Sequence, residues 1–306
     1  MQESKKFINS SGINIQERKS SKMAEGIALH RALESQKPES ERICYDPYAI
    51  YFISPETLEP FSDPQKAKAS HEYFERILPG FTNSVRARVR YFDDFIKKSI
   101  DEGMLEQLVI LGAGYDTRAY RIEGIKEKIK VFEVDHPNTQ KAKIEKIKEI
   151  FGFMPDYVVY VPVNFETEEF GERLLAQGYN KLLKTLFIME GLVMYIPPKA
   201  VDKTLAFIVK NSGKGSTILL DYFPESVIDG SCMLDVGKNM REYAAKRGEP
   251  FKFGIKEGTV KIFLSERGFS QITNVTADDY KKMYFHGANK DKEVCSLMSF
   301  VHAVKE

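Results

Sequence analysis

The chain has 306 residues, with 45 Lys and Arg against 44 Asp and Glu and a formal net charge of +1. That length suits one large domain or two small ones, and 42% hydrophobic with 29% charged residues excludes a chain disordered throughout. Near-neutrality supplies no global field for nucleic acid or an anionic membrane. With no apolar run of the ~20 residues a membrane helix needs, and no signal-like apolar core at the start, a cytoplasmic chain is expected.

The first ~20 residues are polar and are expected to fray. Residues 21–100 read as mostly helical. The clearest helix is 82–100, where Val85, Val89, Phe92 and Ile96 recur at helical spacing and Thr82, Asn83 or Ser84 offers an N-cap. After residue 105 the rhythm changes. Short apolar runs at 107–111 (QLVIL), 129–135 (IKVFEVD), 157–163 (YVVYVPV), 185–189 (TLFIM) and 216–222 (STILLDY) alternate with amphipathic stretches. One of these, 197–211, opens on Pro197-Pro198, carries Val201, Leu205, Ile208 and Val209 on one face, and stops at Gly213. Such alternation implies βαβ units and a mostly parallel sheet.

Residues 223–255 contain no convincing strand and read as a helical insertion. A helix is expected at 256–267, a strand at 269–275, and a last strand within 293–303, the last two as an antiparallel hairpin across Gly268. Residues 1–100 would form an N-terminal helical cap region. Residues 101–306 would form a Rossmann-like α/β core carrying the insertion, integrated with the cap as one domain. Ligands of open α/β sheets bind at the carboxyl edge that such a cap would cover.

Cys44, Cys232 and Cys295 are scattered and form no CxxC pair, and there is no HExxH. Neither a disulfide framework nor a metal site is expected. The strongest local signal is QLVILGAGYDTRAYR, 107–121. A buried strand runs into Gly112-Ala113-Gly114, where glycine permits a sharp turn and close ligand approach, and Asp116 or Thr117 can cap the next helix. The second strand ends at Asp135, placed to accept from ribose hydroxyls or to cap the helix at Pro137. Dinucleotide sites would need glycine or alanine at position 117; Thr117 argues against an NAD-dependent oxidoreductase, the main alternative. Arg88 borders the apolar stripe of its helix and needs an anionic partner, a protein carboxylate or a ligand, while Arg86 and Arg90 point further out.

ARVRYFDDF (87–95), LGAGYDTRAYR (111–121), FEVDHP (132–137) and MEGLVMYI (189–196), with DPYA (46–49) and GEPFKFGI (248–255), occur in an order and spacing that resembles the leucine carboxyl methyltransferase family, including its prokaryotic branch, over roughly residues 22–303. The resemblance implies a seven-stranded class I methyltransferase sheet ending in the hairpin, with S-adenosylmethionine as cofactor, S-adenosylhomocysteine as product and no metal. It implies that Gly112, Ala113 and Gly114 line the methionine part, that Asp135, with His136 beside it, holds the ribose, and that Arg88 and more loosely Arg31 meet the methionine carboxylate. Glu190 would lie beside the cofactor, or act as a capping or surface acid. Where the family often has an acid followed by leucine, this chain has Asn164-Phe165; the amide can still accept from the adenine amine, without the charge, and Phe165 can pack on the ring.

The reaction expected is O-methylation of a small-molecule or peptide acceptor. A carboxylate is ahead of a hydroxyl because it is ionised at neutral pH and needs no base. A hydroxyl would need one, with Asp221, Tyr222 and His286 as candidates. Tyr91, Tyr195 and Tyr222 are candidates to shape the acceptor pocket. A catalytically silent nucleotide-binding protein is a second alternative; nucleic-acid methylation is disfavoured by the charge balance.

Overall fold

Each of the five apolar runs is a strand, and two more strands complete one sheet in a computed structural model that describes residues 21–306. The strands are β1 (Gln107–Leu111), β2 (Lys130–Asp135), β3 (Val158–Pro162), β4 (Thr185–Met189), β5 (Thr217–Tyr222), β6 (Phe269–Val275) and β7 (Ser299–Lys305), in the order β3-β2-β1-β4-β5-β7-β6. The first five are parallel, and β7 runs antiparallel between β5 and β6. This is the α/β, seven-stranded class I methyltransferase arrangement expected. The expectation of a frayed start falls on residues outside those described.

The sheet has helices on both faces, so its central strands are apolar throughout rather than alternating. Every residue of β1 and β4 is buried. Alternate residues supply the two faces. Leu108 and Ile110 pack with Val85, Phe92 and Ile96 of the helix Phe81–Asp101. Val109 and Leu111 pack with Val201, Leu205 and Ile208 of the helix Pro198–Lys210. Strand order reverses between β1 and β4, which opens a crevice at their carboxyl ends.

Four local expectations are corrected. The helix expected at 82–100 begins at Phe81 with Gly80 as its N-cap, at φ +67°. Thr82, Asn83 and Ser84 are buried inside the first turn, and Ser84 Oγ accepts from Cys295 N at 2.8 Å. That contact moves the last strand too. The backbone around Val294 is pressed against Gly80, so pairing with β5 starts only at Ser299. The helix expected at 256–267 is the shorter Val260–Ser265. Arg86, expected to point outward, is buried and pairs with Glu34 at 2.9 Å.

Over the carboxyl edge lies the helix Lys22–Ser35, capped by Ser21, whose Oγ accepts from Ala24 N at 3.0 Å. The segment after β5 forms the helices Glu225–Asp229 and Asp235–Lys246. Pro224 bridges to Ile255, and Lys252 N bonds Met194 O at 2.7 Å. Among the described residues no helix is long and apolar enough to cross a membrane.

Candidate active site

β1 ends in a turn only glycine makes easily. Gly112 has φ +67° and Gly114 φ +44°. A Cβ on Gly112 would lie 2.9 Å from Leu192 Cδ1, and one on Gly114 would lie 3.3 Å from Ala24 Cβ and 4.0 Å from Asp135 Oδ2. Gly112 N and Ala113 N both donate to Val134 O, at 2.8 and 3.1 Å, which folds the turn against β2. The Asp135 carboxylate at the tip of β2 accepts from Gly114 N, and from His136 N at 2.5 Å. Burial pushes its pKa up, against the pull of those two N–H groups. The N-cap of the next helix is His136, whose Nδ1 accepts from Asn138 N at 3.3 Å, so Asp135 is not spent as a cap.

These tips open into one hollow. Arg31, Arg88, Gly112, Ala113, Gly114, Asp135, His136, Asn164, Phe165 and Glu190, every residue picked out from the sequence for the cofactor, lie on its wall. The base candidates and Tyr91 do not. Tyr222 bonds Asn274 Oδ1 at 3.0 Å, Tyr91 bonds His302, and His286 is exposed against Met283 O. Asp221 stands behind Arg88. Of the tyrosines singled out, Tyr195 is on the wall.

Both arginines are held from behind. Arg88 Nε donates to Glu190 Oε1 at 3.0 Å and Nη1 to Asp221 Oδ2 at 2.6 Å. Arg31 Nε donates to Asp46 Oδ2 at 2.8 Å and Nη2 to Tyr115 O at 2.6 Å. Asp46 is the acid of DPYA, and it also accepts from Tyr48 N and Ala49 N at 3.1 Å. Arg88 Nη2 and Arg31 Nη1 make no bond to a described residue. Each arginine on the wall thus has a guanidinium donor that no described residue takes up, a fit for a carboxylate-bearing ligand.

Arg118, given no role from the sequence, organises the floor. It donates to Asp93 at 2.7 Å, and to Asp116 and Glu190 at 2.5 Å each. Burial pushes the pKa of Asp116 up, but Arg118, Lys143, the Arg118 backbone N–H and Arg121 together outweigh it and hold it at about 2. Glu190 is likewise kept below its usual range by Arg118 and Arg88 against the effect of burial. Asp221 is pushed up, because burial there outweighs Arg88. Asn164 Oδ1 accepts from Glu166 N at 3.0 Å, which fixes the amide and leaves a second lone pair. Among the described residues no group of His, Cys, Asp and Glu is arranged to hold a metal.

A Bacillus subtilis protein, YktD, is 28% identical over 220 residues, 72% of each chain, and a Mycobacterium avium protein is 31% identical over 227 residues, again 72% of each. Both carry the name putative S-adenosyl-L-methionine-dependent methyltransferase. A solved duf574 family protein from Streptomyces avermitilis has the same fold, with TM-score 0.60, 14% identity, and coverage of 94% of this chain and 98% of that one. The protein is a class I S-adenosylmethionine-dependent methyltransferase, and the NAD-dependent alternative is not favoured. Residues 24–209 match the model of the family described as Leucine carboxyl methyltransferase, and the chain belongs to that family.

Proposed function

We propose that this enzyme methylates an oxygen of a small-molecule or peptide acceptor, with S-adenosylmethionine seated across the tips of β1, β2 and β3. One observation carries the assignment: a single hollow gathers the glycine turn, the Asp135 carboxylate, Asn164-Phe165 and two arginines, each with a donor that no described residue takes up. Asp135 accepts from the ribose hydroxyls, Asn164 Oδ1 from the adenine amine, and Phe165 packs on the ring. Arg88 Nη2 and Arg31 Nη1 meet the methionine carboxylate. S-adenosylmethionine, when bound, supplies a methyl group already activated by its sulfonium.

The remaining work falls to the chain, which holds the acceptor in line and excludes water. Alignment of two reactants is worth ~7–11 kcal/mol, and apolar walls favour a step that disperses charge. The helices of residues 21–100 and 223–255 act as a cap integrated with the sheet. We place the enzyme in the cytoplasm, where its buried free Cys44, Cys232 and Cys295 stay reduced.

Calorimetry with S-adenosylhomocysteine, followed by an assay for its release from S-adenosylmethionine across an acceptor panel, tests the proposal. Micromolar binding with turnover on an oxygen acceptor is expected. Stabilisation by NADH but not by S-adenosylhomocysteine refutes it, and binding without turnover on any acceptor points instead to a catalytically silent protein.

A further inference from the structure

Arg31 and Arg88 reach the hollow from two different helices, Lys22–Ser35 and Phe81–Asp101, yet one buried carboxylate stands between them. Asp93 lies on the helix of Arg88, is 4% exposed, and sits behind the wall rather than on it. It accepts from Arg118 Nε at 2.7 Å and from Arg121 Nη1 and Nη2 at 2.7 and 2.8 Å. Two arms leave this point. Through Arg118 the charges alternate to Glu190, whose Oε2 accepts from Arg118 Nη1 at 2.5 Å and whose Oε1 accepts from Arg88 Nε at 3.0 Å. Through Arg121 they alternate to Asp46, 3.8 Å from Arg121 Nε and 2.8 Å from Arg31 Nε.

Thr117 closes the second arm. It is 1% exposed, its Oγ1 accepts from Arg121 Nε at 3.0 Å, and its hydroxyl also bonds Asp46. Burial pushes the Asp46 carboxyl up, but Arg31, Arg121 and the Thr117 hydroxyl outweigh it and keep it below its usual range. A threonine thus joins two charged groups at the position where a dinucleotide site would have glycine or alanine.

Asp93 decides how the outer acids are shared. Arg118 and Arg121 each touch Asp93 and one acid that backs an arginine on the wall. A buried cation deprived of one carboxylate turns harder onto the next, since charge pairs are strong where water is excluded. Without the charge on Asp93, Arg118 draws Glu190 from Arg88, and Arg121 draws Asp46 from Arg31. Arg88 is aimed by Glu190 and Asp221, and Arg31 by Asp46 and Tyr115 O, so each would lose one of its two supports.

We propose that Asp93 is a positioning residue for the cofactor. By engaging Arg118 and Arg121 it sets Arg88 and Arg31 together to receive the methionine carboxylate, with Thr117 holding the Arg31 arm. This rests on the assignment of the two arginines to that carboxylate.

The test uses the full chain and two ligands, S-adenosylhomocysteine and its decarboxylated analogue, which keeps the ammonium and lacks the carboxylate. Calorimetry on wild type and Arg88→Met comes first. Arg88→Met should cost affinity for the first ligand and not for the second. Equal losses would overturn the arginine assignment, and this proposal with it, before Asp93 is changed. Asp93→Asn should then weaken S-adenosylhomocysteine about tenfold and the analogue less than about twofold, because a misaimed arginine forfeits a charge-assisted hydrogen bond to the carboxylate. A merely structural loss would weaken both ligands alike. Thr117→Val is a milder change that keeps the idea open to refutation if Asp93→Asn does not fold. It should weaken S-adenosylhomocysteine severalfold with the analogue unchanged, and Thr117→Ser, which keeps the hydroxyl, should restore the affinity. Wild-type or unselective binding in either Asp93→Asn or Thr117→Val overturns the proposal, and a selective Arg88→Met then leaves the arginine assignment standing.

Discussion

Replacing Arg118 by Met removes the cation at the centre of the buried network under the glycine turn. Its guanidinium meets Asp93, Asp116 and Glu190, and its side chain is 3% exposed. The loss is smaller than three broken ion pairs, because two of the acids have other partners. Asp93 keeps Arg121, at 2.7 and 2.8 Å, and Glu190 keeps Arg88. Among the described residues, Asp116 is the one of the three left as a buried carboxylate without a cation within bonding distance. Breaking one buried pair costs about 3–5 kcal/mol, because it strands the remaining charge. For a chain this size that corresponds to a fall in Tm of roughly 6–10 °C, at ~2 °C per kcal/mol. The contribution has a pH signature. Asp116 is held at about 2 in the fold against an ordinary value of 3.8, so it stabilises above pH ~4 and that contribution disappears as pH falls through 2. The gap between wild type and Arg118→Met, measured by urea unfolding, is therefore widest at pH 6–7, narrows below pH 4 and closes toward pH 2. Adding Asp116→Asn to Arg118→Met removes the stranded charge and should recover most of the loss. A single variant within 1 kcal/mol of wild type, or a double variant no more stable than the single, would refute this reasoning.

Asp135→Ala should weaken S-adenosylhomocysteine binding by ~1.5–3 kcal/mol, about 10- to 150-fold, the worth of a charge-assisted hydrogen bond; calorimetry giving wild-type affinity would remove the ribose role. Gly80→Ala should destabilise by at least ~2 kcal/mol while the folded fraction binds S-adenosylhomocysteine normally, because a Cβ there would meet the Val294 backbone at 2.6 Å in a left-handed conformation. Glu25 is held at about 2, since bonds from Ser54 and Thr57 outweigh the upward push of burial. Its contribution is thus complete above pH ~4.5 and lost toward pH 2, and Glu25→Gln should flatten that part of the acid-unfolding curve; an unchanged slope would show that these bonds do not favour the charged form.

How much of the site is legible in the chain depends on how local each signal is. Gly112 and Asp135 are readable because a strand–glycine turn and an acid ending the next run occupy adjacent strand tips whenever the unit is βαβ. Arg88 is half readable. Its place at the edge of an apolar stripe demands an anion, but nothing nearby in the chain names Glu190 and Asp221, 102 and 133 residues away. Arg118 stands within a motif with no visible task, since the acid it shares with Arg88, Glu190, comes from another strand. The base candidates Asp221, Tyr222 and His286 are chemistry-bearing side chains near expected element ends, which is all the sequence offers for them. A one-residue step along β5 turns Tyr222 away, and His286 lies on the surface.

The sequence by itself determined the sheet, its parallel order of strand and helix, the glycine turn and the family, because these depend on periodicity and on short motifs that carry their own geometry. Tertiary structure alone decided which acids hold the arginines, where the helix at Phe81 begins, and that Glu249 reaches the cap of a helix 228 residues earlier. Those facts are set by three-dimensional packing of distant segments, and no pattern within a turn or a strand encodes a contact across the fold.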